Sequence, residues 1–469
     1  MKRKIKVLYA TAEAAPYAQV GGLGEVGASL PKALLDTGEV EIRRVMPLYK
    51  DTPGRKRYGK DFPVPMGGGF ETCILKTDPD DRKISTWFIG NDRYFYRESI
   101  YSQEDDGFRF FFFCRAVAEM LKSVSWKPDI LHLNDWHTGF LPLLVKEDLP
   151  RIRTVFTIHN IAYHGFVPAS LIQGLVSDRE LFQLGWPEWL NFMKAGILYS
   201  DRVTTVSPTY SREIQQPGLG SGMEPYLKQK QGGITGILNG IDTGLYHPSE
   251  DGVQPYPYDK KNAAENKKKN RSALRKEYGL PDRDIPLLSM ISRLDPEKGI
   301  DLVAKALPEM DRSAYQLILM GSGNSYYDGL LADLAREYPE NVVVIPEYSF
   351  DTARRLYGAS DIYLMPSRFE PCGLGQLYAM RYGAVPVVYP AGGLRDTVTD
   401  AENGPKGANG FYMAEWSGKG LISALEKAIA AYRTPQWATY VKNGMSVDSS
   451  WRNRAPEYIR LYKELQELS

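Results

Sequence analysis

Cysteine is scarce in this chain: Cys73, Cys114 and Cys372 are the only three among 469 residues. They stand far apart with no CxxC pair. That excludes a readable zinc framework and points to a reducing, cytoplasmic setting. An excess of charge is missing too, with 58 lysines and arginines against 57 aspartates and glutamates, a net charge of +1. Neither nucleic acid nor a membrane surface is therefore expected as the main partner. The run Asn266-Lys-Lys-Lys-Asn270 is expected to be a solvated face. No apolar run approaches the roughly 18 residues a membrane span needs. The opening Met1-Lys-Arg-Lys-Ile-Lys6 has the charge of a secretory leader, but the apolar run before Glu13 is short, so a first strand is expected. The P-loop pattern GxxxxGK[ST] is absent, which disfavours a kinase or ATPase. GxSxG and HExxH are absent as well.

What the chain does have is short β-branched runs alternating with helical patterns. In the first half they fall at residues 5–10, 42–46, 85–90, 129–133, 154–159 and 203–206. In the second half they fall at 286–291, 316–321, 342–345, 361–365 and 384–389. Most are continuously apolar, as expected of strands buried on both faces of a parallel sheet. Residues 246–275 carry Pro248, Pro255, Pro257 and the lysine run, with little apolar content, and read as a linker. The expectation is an α/β fold: a Rossmann-like domain over 1–245, a hinge over 246–275, and a second Rossmann-like domain over 276–450. Residues 451–469 form a helix with Tyr458, Leu461, Tyr462 and Leu465 on one face. Two doubly wound domains place a ligand cleft between them, at the carboxyl ends of their strands.

The most informative stretch is Ser367-Arg-Phe-Glu370-Pro-Cys372-Gly373-Leu374-Gly375-Gln376. It follows an apolar strand and opens a helical run. A carboxylate thus stands beside glycines whose N–H groups start a helix, which suits a ligand that is half phosphate and half polyol. Ser292-Arg293-Leu-Asp-Pro-Glu-Lys298-Gly299 also follows a strand. Its guanidinium and ammonium can converge on a diphosphate, or be two surface cations. Gly22, Gly24 and Gly27 make a formal GxGxxG, but residues 11–20 separate it from the strand. A nicotinamide site also needs an acid about 20 residues further on. Glu39 and Glu41 come too early. A phosphate-packing loop and a plain turn both remain. Asn134-Asp135-Trp136-His137 ends a strand with the residue types that grip and stack on sugars. His132 reads as a core residue. His159 ends another strand, where a polar side chain is well placed for a ligand. Asp78-Pro-Asp80-Asp81 is a formal DxD that turn chemistry explains.

Taken in order, these segments resemble the bacterial glycogen synthases and plant starch synthases. The likeness runs through Tyr17-Ala-Gln19-Val-Gly21-Gly22-Leu-Gly-Glu25-Val26, Asp135-Trp-His137, Thr157-Ile-His159-Asn-Ile-Ala-Tyr163 and Thr205-Val-Ser-Pro208. It continues through Gly236-Ile-Leu-Asn239-Gly-Ile-Asp242, Ser292 to Lys298, Ser367 to Tyr378 and Gly392-Gly-Leu-Arg-Asp-Thr397. The resemblance implies a GT-B fold, no metal and no cofactor, and retaining transfer of glucose from ADP-glucose to the 4-hydroxyl of an α-glucan. It also implies a terminal helix crossing back to the first domain. By motif, Arg293 and Lys298 would hold the donor phosphates, and Glu370 would sit under the transferred glucose. N–H groups of Cys372, Gly373 and Leu374 would bind hydroxyls or phosphate. His159 would offer its carbonyl near the anomeric carbon. Gln19, Gly21, Gly22, Glu25 and Asn239 would complete the donor side, and Asp135, Trp136 and His137 the acceptor side. The chain departs from the family at two positions: Gln19 replaces the lysine before Gly-Gly-Leu, and Glu25 replaces an aspartate. The first leaves open a UDP-glucose donor or a weakened, glucan-binding homologue.

Overall fold

The computed structural model describes all residues except 1–2, 53–55, 58, 82, 147, 173, 175, 186–187, 405 and 468–469. The chain divides into two compact units, residues 1–240 with 451–469, and residues 241–450.

In the first unit the central strands run Ile234–Gly236, Arg202–Thr205, Arg153–Ile158, Ile130–Asn134, Ile5–Ala10, Val40–Pro47 and Ser85–Gly90 across one parallel sheet. Gly69–Thr77 adds an antiparallel edge. Strands such as Ile130–Asn134 are buried at every position, His132 and Asn134 included, because both faces of the parallel sheet are covered. The helix Ala455–Glu467 closes one face of this sheet by burying Tyr458, Ile459, Leu461, Tyr462 and Leu465. Its Tyr462 hydroxyl lies 2.6 Å from Nδ1 of His132, whose Nε2 lies 2.7 Å from the Thr157 hydroxyl. His132 is thus a satisfied core residue.

The second unit is a six-stranded parallel sheet ordered Val342–Ile345, Gln316–Met320, Leu287–Ile291, Ile362–Met365, Val385–Val388, Phe411–Tyr412. Apolar clusters pack on both faces.

The expected linker is a correction. Residues 246–275 belong wholly to the second unit, and the helix Ala263–Glu277 is packed against it. Polar composition misled because the charges are used inside. Lys267, expected in solvent, is buried, and its ammonium donates to the carbonyls of Tyr357 (3.2 Å), Gly358 (3.0 Å) and Tyr382 (2.8 Å). Arg271 pairs with the buried Asp361 at 2.5 Å. Each buried charge meets fixed acceptors, which is the condition for burying it at all.

Candidate active site

Both sheets reverse their strand order beside a strand that carries a candidate loop. In the second unit, Leu287–Ile291 lies between Gln316–Met320 and Ile362–Met365. The loops leaving Leu287–Ile291 and Ile362–Met365 therefore emerge side by side at a topological switch point, where open α/β sheets bind ligands. Those loops carry Arg293 and Lys298 on one side and Glu370, Cys372, Gly373 and Leu374 on the other.

The two loops are tied together. The Arg368 N–H donates to the Glu297 carbonyl at 2.8 Å, and the Lys298 ammonium donates to Glu370 Oε2 at 2.6 Å. The side chains of that pair are only 20% and 9% exposed. Pairing offsets the desolvation of both charges. The Glu370 carbonyl, in turn, lies against Gly392. That glycine has φ +49°, and a Cβ there would stand 2.0 Å from the carbonyl oxygen, so only glycine fits. Arg293 behaves differently. It is half exposed and pairs with Asp295 at 3.1 Å. The helix Gly375–Arg381 begins just after the loop, with Leu374 as its N-cap and no side-chain cap. Among the described residues the N–H groups of Gly373 and Leu374 have no acceptor, while Gln376 Nε2 holds the Cys372 and Gly373 carbonyls at 3.0 and 3.1 Å. The loop thus presents an acid, a cation and open amide donors together. Tyr378, one helical turn on, is buried and stacked on Tyr246 at 3.8 Å.

In the first unit, Ile5–Ala10 occupies the equivalent place between Val40–Pro47 and Ile130–Asn134. It leads to the glycine loop, and Ile130–Asn134 leads to Asp135. Gly21 caps the helix Gly22–Asp36 without a side chain. Gln19 is exposed and lies over Gly24, and Glu25 is buried in the first helical turn. The loop is held from beneath by Glu13, which sequence reading passed over. Its buried carboxylate accepts from the N–H of Val20 (2.6 Å) and Gly21 (3.1 Å) and from the Tyr101 hydroxyl (2.6 Å). The only signal for it was an acid inside an otherwise apolar strand-to-loop segment.

Asp135 takes φ +61°, is buried, and has an Oδ1 without a partner. Burial pushes its carboxyl up to about 7, against the pull of the Asn160, His159 and Trp136 N–H groups. Trp136 stacks on His137 at 4.1 Å, and His137 is enclosed by Tyr101 (4.9 Å) and Phe110 (4.7 Å). Burial drives the His137 imidazole well below its ordinary range, so it is neutral. His159 Nε2 lies 3.0 Å from Asn134 Oδ1, which also accepts from the Tyr9 hydroxyl at 2.9 Å. Burial lowers His159 to about 3. Asn239 is buried with an unpartnered Oδ1, and no hydrogen bond joins it to Asp135. The formal DxD is a turn. Asp78 Oδ1 accepts from the Asp80 N–H, its Oδ2 accepts from the Tyr17 hydroxyl, and Asp81 pairs with the buried Arg44. Among the described residues, no three His, Cys, Asp or Glu side chains converge as metal ligands. No helix of the described residues is long and apolar enough to cross a membrane.

The chain is similar to known proteins over nearly its whole length. A family profile described as the starch synthase catalytic domain matches residues 6–229, and one described as glycosyl transferases group 1 matches residues 270–435. The glycogen synthase of Desulforudis audaxviator is 39% identical, over 99% of this chain and 97% of that protein. A solved structure of the catalytic domain of starch synthase IV from Arabidopsis thaliana, bound to ADP and acarbose, is 31% identical. It covers 99% of this chain and 100% of that one, with a TM-score of 0.91. Sucrose-phosphate synthase from Thermosynechococcus elongatus, 18% identical with a TM-score of 0.66, shares the GT-B fold over 99% of this chain and 100% of its own. Identity sustained across nearly the full length of both chains makes this protein a member of the glycogen synthase family.

Proposed function

We propose that the protein transfers glucose from ADP-glucose to the 4-hydroxyl at the non-reducing end of an α-1,4-glucan, with retention of configuration. The observation that carries the reading is the Lys298–Glu370 pair at 2.6 Å, set beside the open N–H groups of Gly373 and Leu374. Breaking a glycosyl-diphosphate bond puts negative charge on the leaving group and positive charge on the sugar. Fixed cations and amide donors answer the first, and a lone carboxylate answers the second. On this reading Lys298 and Arg293 take the phosphates, and Glu370 steadies the sugar. The Cys372, Gly373 and Leu374 amides bind oxygen atoms of the donor. Gln19, Gly21, Gly22, Glu25 and Asn239 complete the donor side. His159 offers its carbonyl near the anomeric carbon. Asp135, Trp136 and His137 meet the acceptor. None of these site residues pairs a hydroxyl or thiol nucleophile with a flanking base, so on this reading the acceptor hydroxyl attacks on the face the diphosphate leaves, and that phosphate takes its proton. The reaction so written needs no metal and no resident cofactor. ADP is its leaving group, and ADP is what the Arabidopsis structure holds.

One observation favours a second reading. Gln19 stands where the loop it resembles carries a lysine, and that change motivates a different nucleotide donor such as UDP-glucose. Initial rates with ADP-glucose and UDP-glucose on a glycogen primer separate the two. ADP-glucose is expected to win. A tenfold advantage for UDP-glucose overturns the donor assignment. Absent transfer with retained glycogen binding overturns the catalytic one.

A further inference from the structure

The first unit exposes an aromatic surface that the reaction above does not use. Phe166–Pro168 and Trp189–Asn191 form a two-stranded antiparallel hairpin in which Trp189 faces Pro168, Leu190 faces Val167 and Asn191 faces Phe166. Side chains alternate across a strand and directly opposed residues share a face. Val167 and Leu190 therefore form the inner face, and both are fully buried. Phe166, Pro168 and Trp189 lie on the outer face, while Asn191 on the same side is buried and caps the next helix. On that face Phe166 is 49% and Trp189 54% exposed, as diagonal neighbours. Tyr163, just upstream, is 52% exposed. None of these side chains is charged.

The hairpin is firmly seated and adjoins the candidate acceptor residues. The chain leaves His159 at the end of its strand and reaches Phe166 seven residues later. On the way Gly165 presses on the Trp136 indole so closely that a Cβ would stand 2.0 Å from a ring carbon. The helix Asp106–Ser123 passes the hairpin equally closely, since a Cβ on Gly107 would stand 1.7 Å from the Phe166 carbonyl oxygen. His164 lies with its ring 5.8 Å from that of Phe166 and its Nδ1 3.1 Å from the Asn191 amide. Its Nε2 is buried without a partner.

We propose that the outer face of this hairpin, with Tyr163, is a docking platform for an α-glucan chain whose end is held at Asp135–His137. The apolar C–H face of a pyranose stacks on an aromatic ring. A neutral, exposed, rigid aromatic strip, joined to the buried Trp136 through Gly165, suits an uncharged polysaccharide. The inference rests on the acceptor assignment, but it is tested by binding alone. Retardation of the full-length protein in glycogen-containing native gels reads affinity without donor or turnover. Phe166→Ala with Trp189→Ala is expected to weaken glycogen binding about fivefold, while Phe166→Tyr with Trp189→Phe stays near wild type. Turnover on maltotriose, too short to span the platform, is expected to be unchanged in both. Unchanged glycogen affinity in the alanine variant overturns the proposal. If it comes with a shift in molar mass by light scattering, the face is instead a contact between copies of the chain. Weakened glycogen binding in a wild-type background that transfers no glucose leaves the platform standing and removes only the catalytic reading.

Discussion

Asp135→Asn should make the protein more stable and less active, and the gain should depend on pH. The wild-type carboxyl is 6% exposed, has one oxygen without a partner, and is carried from 3.8 to about 7 by burial. Between those values the folded protein keeps a proton that the unfolded chain has released. Stability therefore falls as pH rises through that window and stays lowered above it. The full cost is at most about 4 kcal/mol, at 1.36 kcal/mol per pH unit. At pH 5.5 about half has been incurred. Asparagine keeps the shape and removes the titration, and it tolerates the positive φ nearly as well. Thermal unfolding at pH 5.5 and 8.0 is the assay. The Asp135→Asn gain at pH 8.0 should exceed that at pH 5.5 by about 2 kcal/mol, or ~4–8 °C. Glucosyl transfer should fall at both values. An equal gain at the two pH values, or a loss at pH 8.0, refutes the reasoning.

Glu370→Gln releases Lys298 from its partner. Transfer should drop about 10²–10³-fold, while ADP affinity measured by calorimetry rises about threefold because the ammonium is no longer shared. Gln19→Lys adds a charge beside the glycine loop and should tighten ADP-glucose about three- to tenfold; unchanged donor affinity means this position does not touch the phosphates. Lys267→Met leaves the Tyr357 carbonyl without its ammonium, although the Tyr258 hydroxyl still reaches the Gly358 and Tyr382 carbonyls. It should cost about 2–3 kcal/mol in scanning calorimetry, and no loss would return residues 246–275 to the status of a tether.

The central strands were legible because burial on both faces writes itself as an unbroken apolar run. The expected run at 5–10 is the strand Ile5–Ala10, and that at 85–90 is Ser85–Gly90. The Glu370 loop was legible for a similar reason: a strand, an acid and glycines in sequence leave few geometries. The hairpin of Phe166 and Trp189 was not legible, since three-residue strands carry too little period to register. Lys267 and Glu13 were missed for a common cause. A charge satisfied by neutral groups that the fold brings to it looks, in sequence, like a charge in water: carbonyls about a hundred residues away for Lys267, loop N–H groups and the Tyr101 hydroxyl for Glu13. Arg293 was placed with Lys298 on a shared diphosphate, yet the structure pairs it with Asp295 at 3.1 Å. Its phosphate role therefore rests on that side chain turning.

The central claim is that the loops after Leu287–Ile291 and Ile362–Met365 hold a diphosphate. Calorimetric titration of ADP into wild type, Lys298→Ala and Arg293→Ala tests it most directly. The account predicts that each substitution weakens ADP at least about tenfold, ~1.4 kcal/mol, while Asp135→Asn leaves ADP affinity unchanged. Wild-type ADP affinity in the Lys298→Ala protein would contradict it.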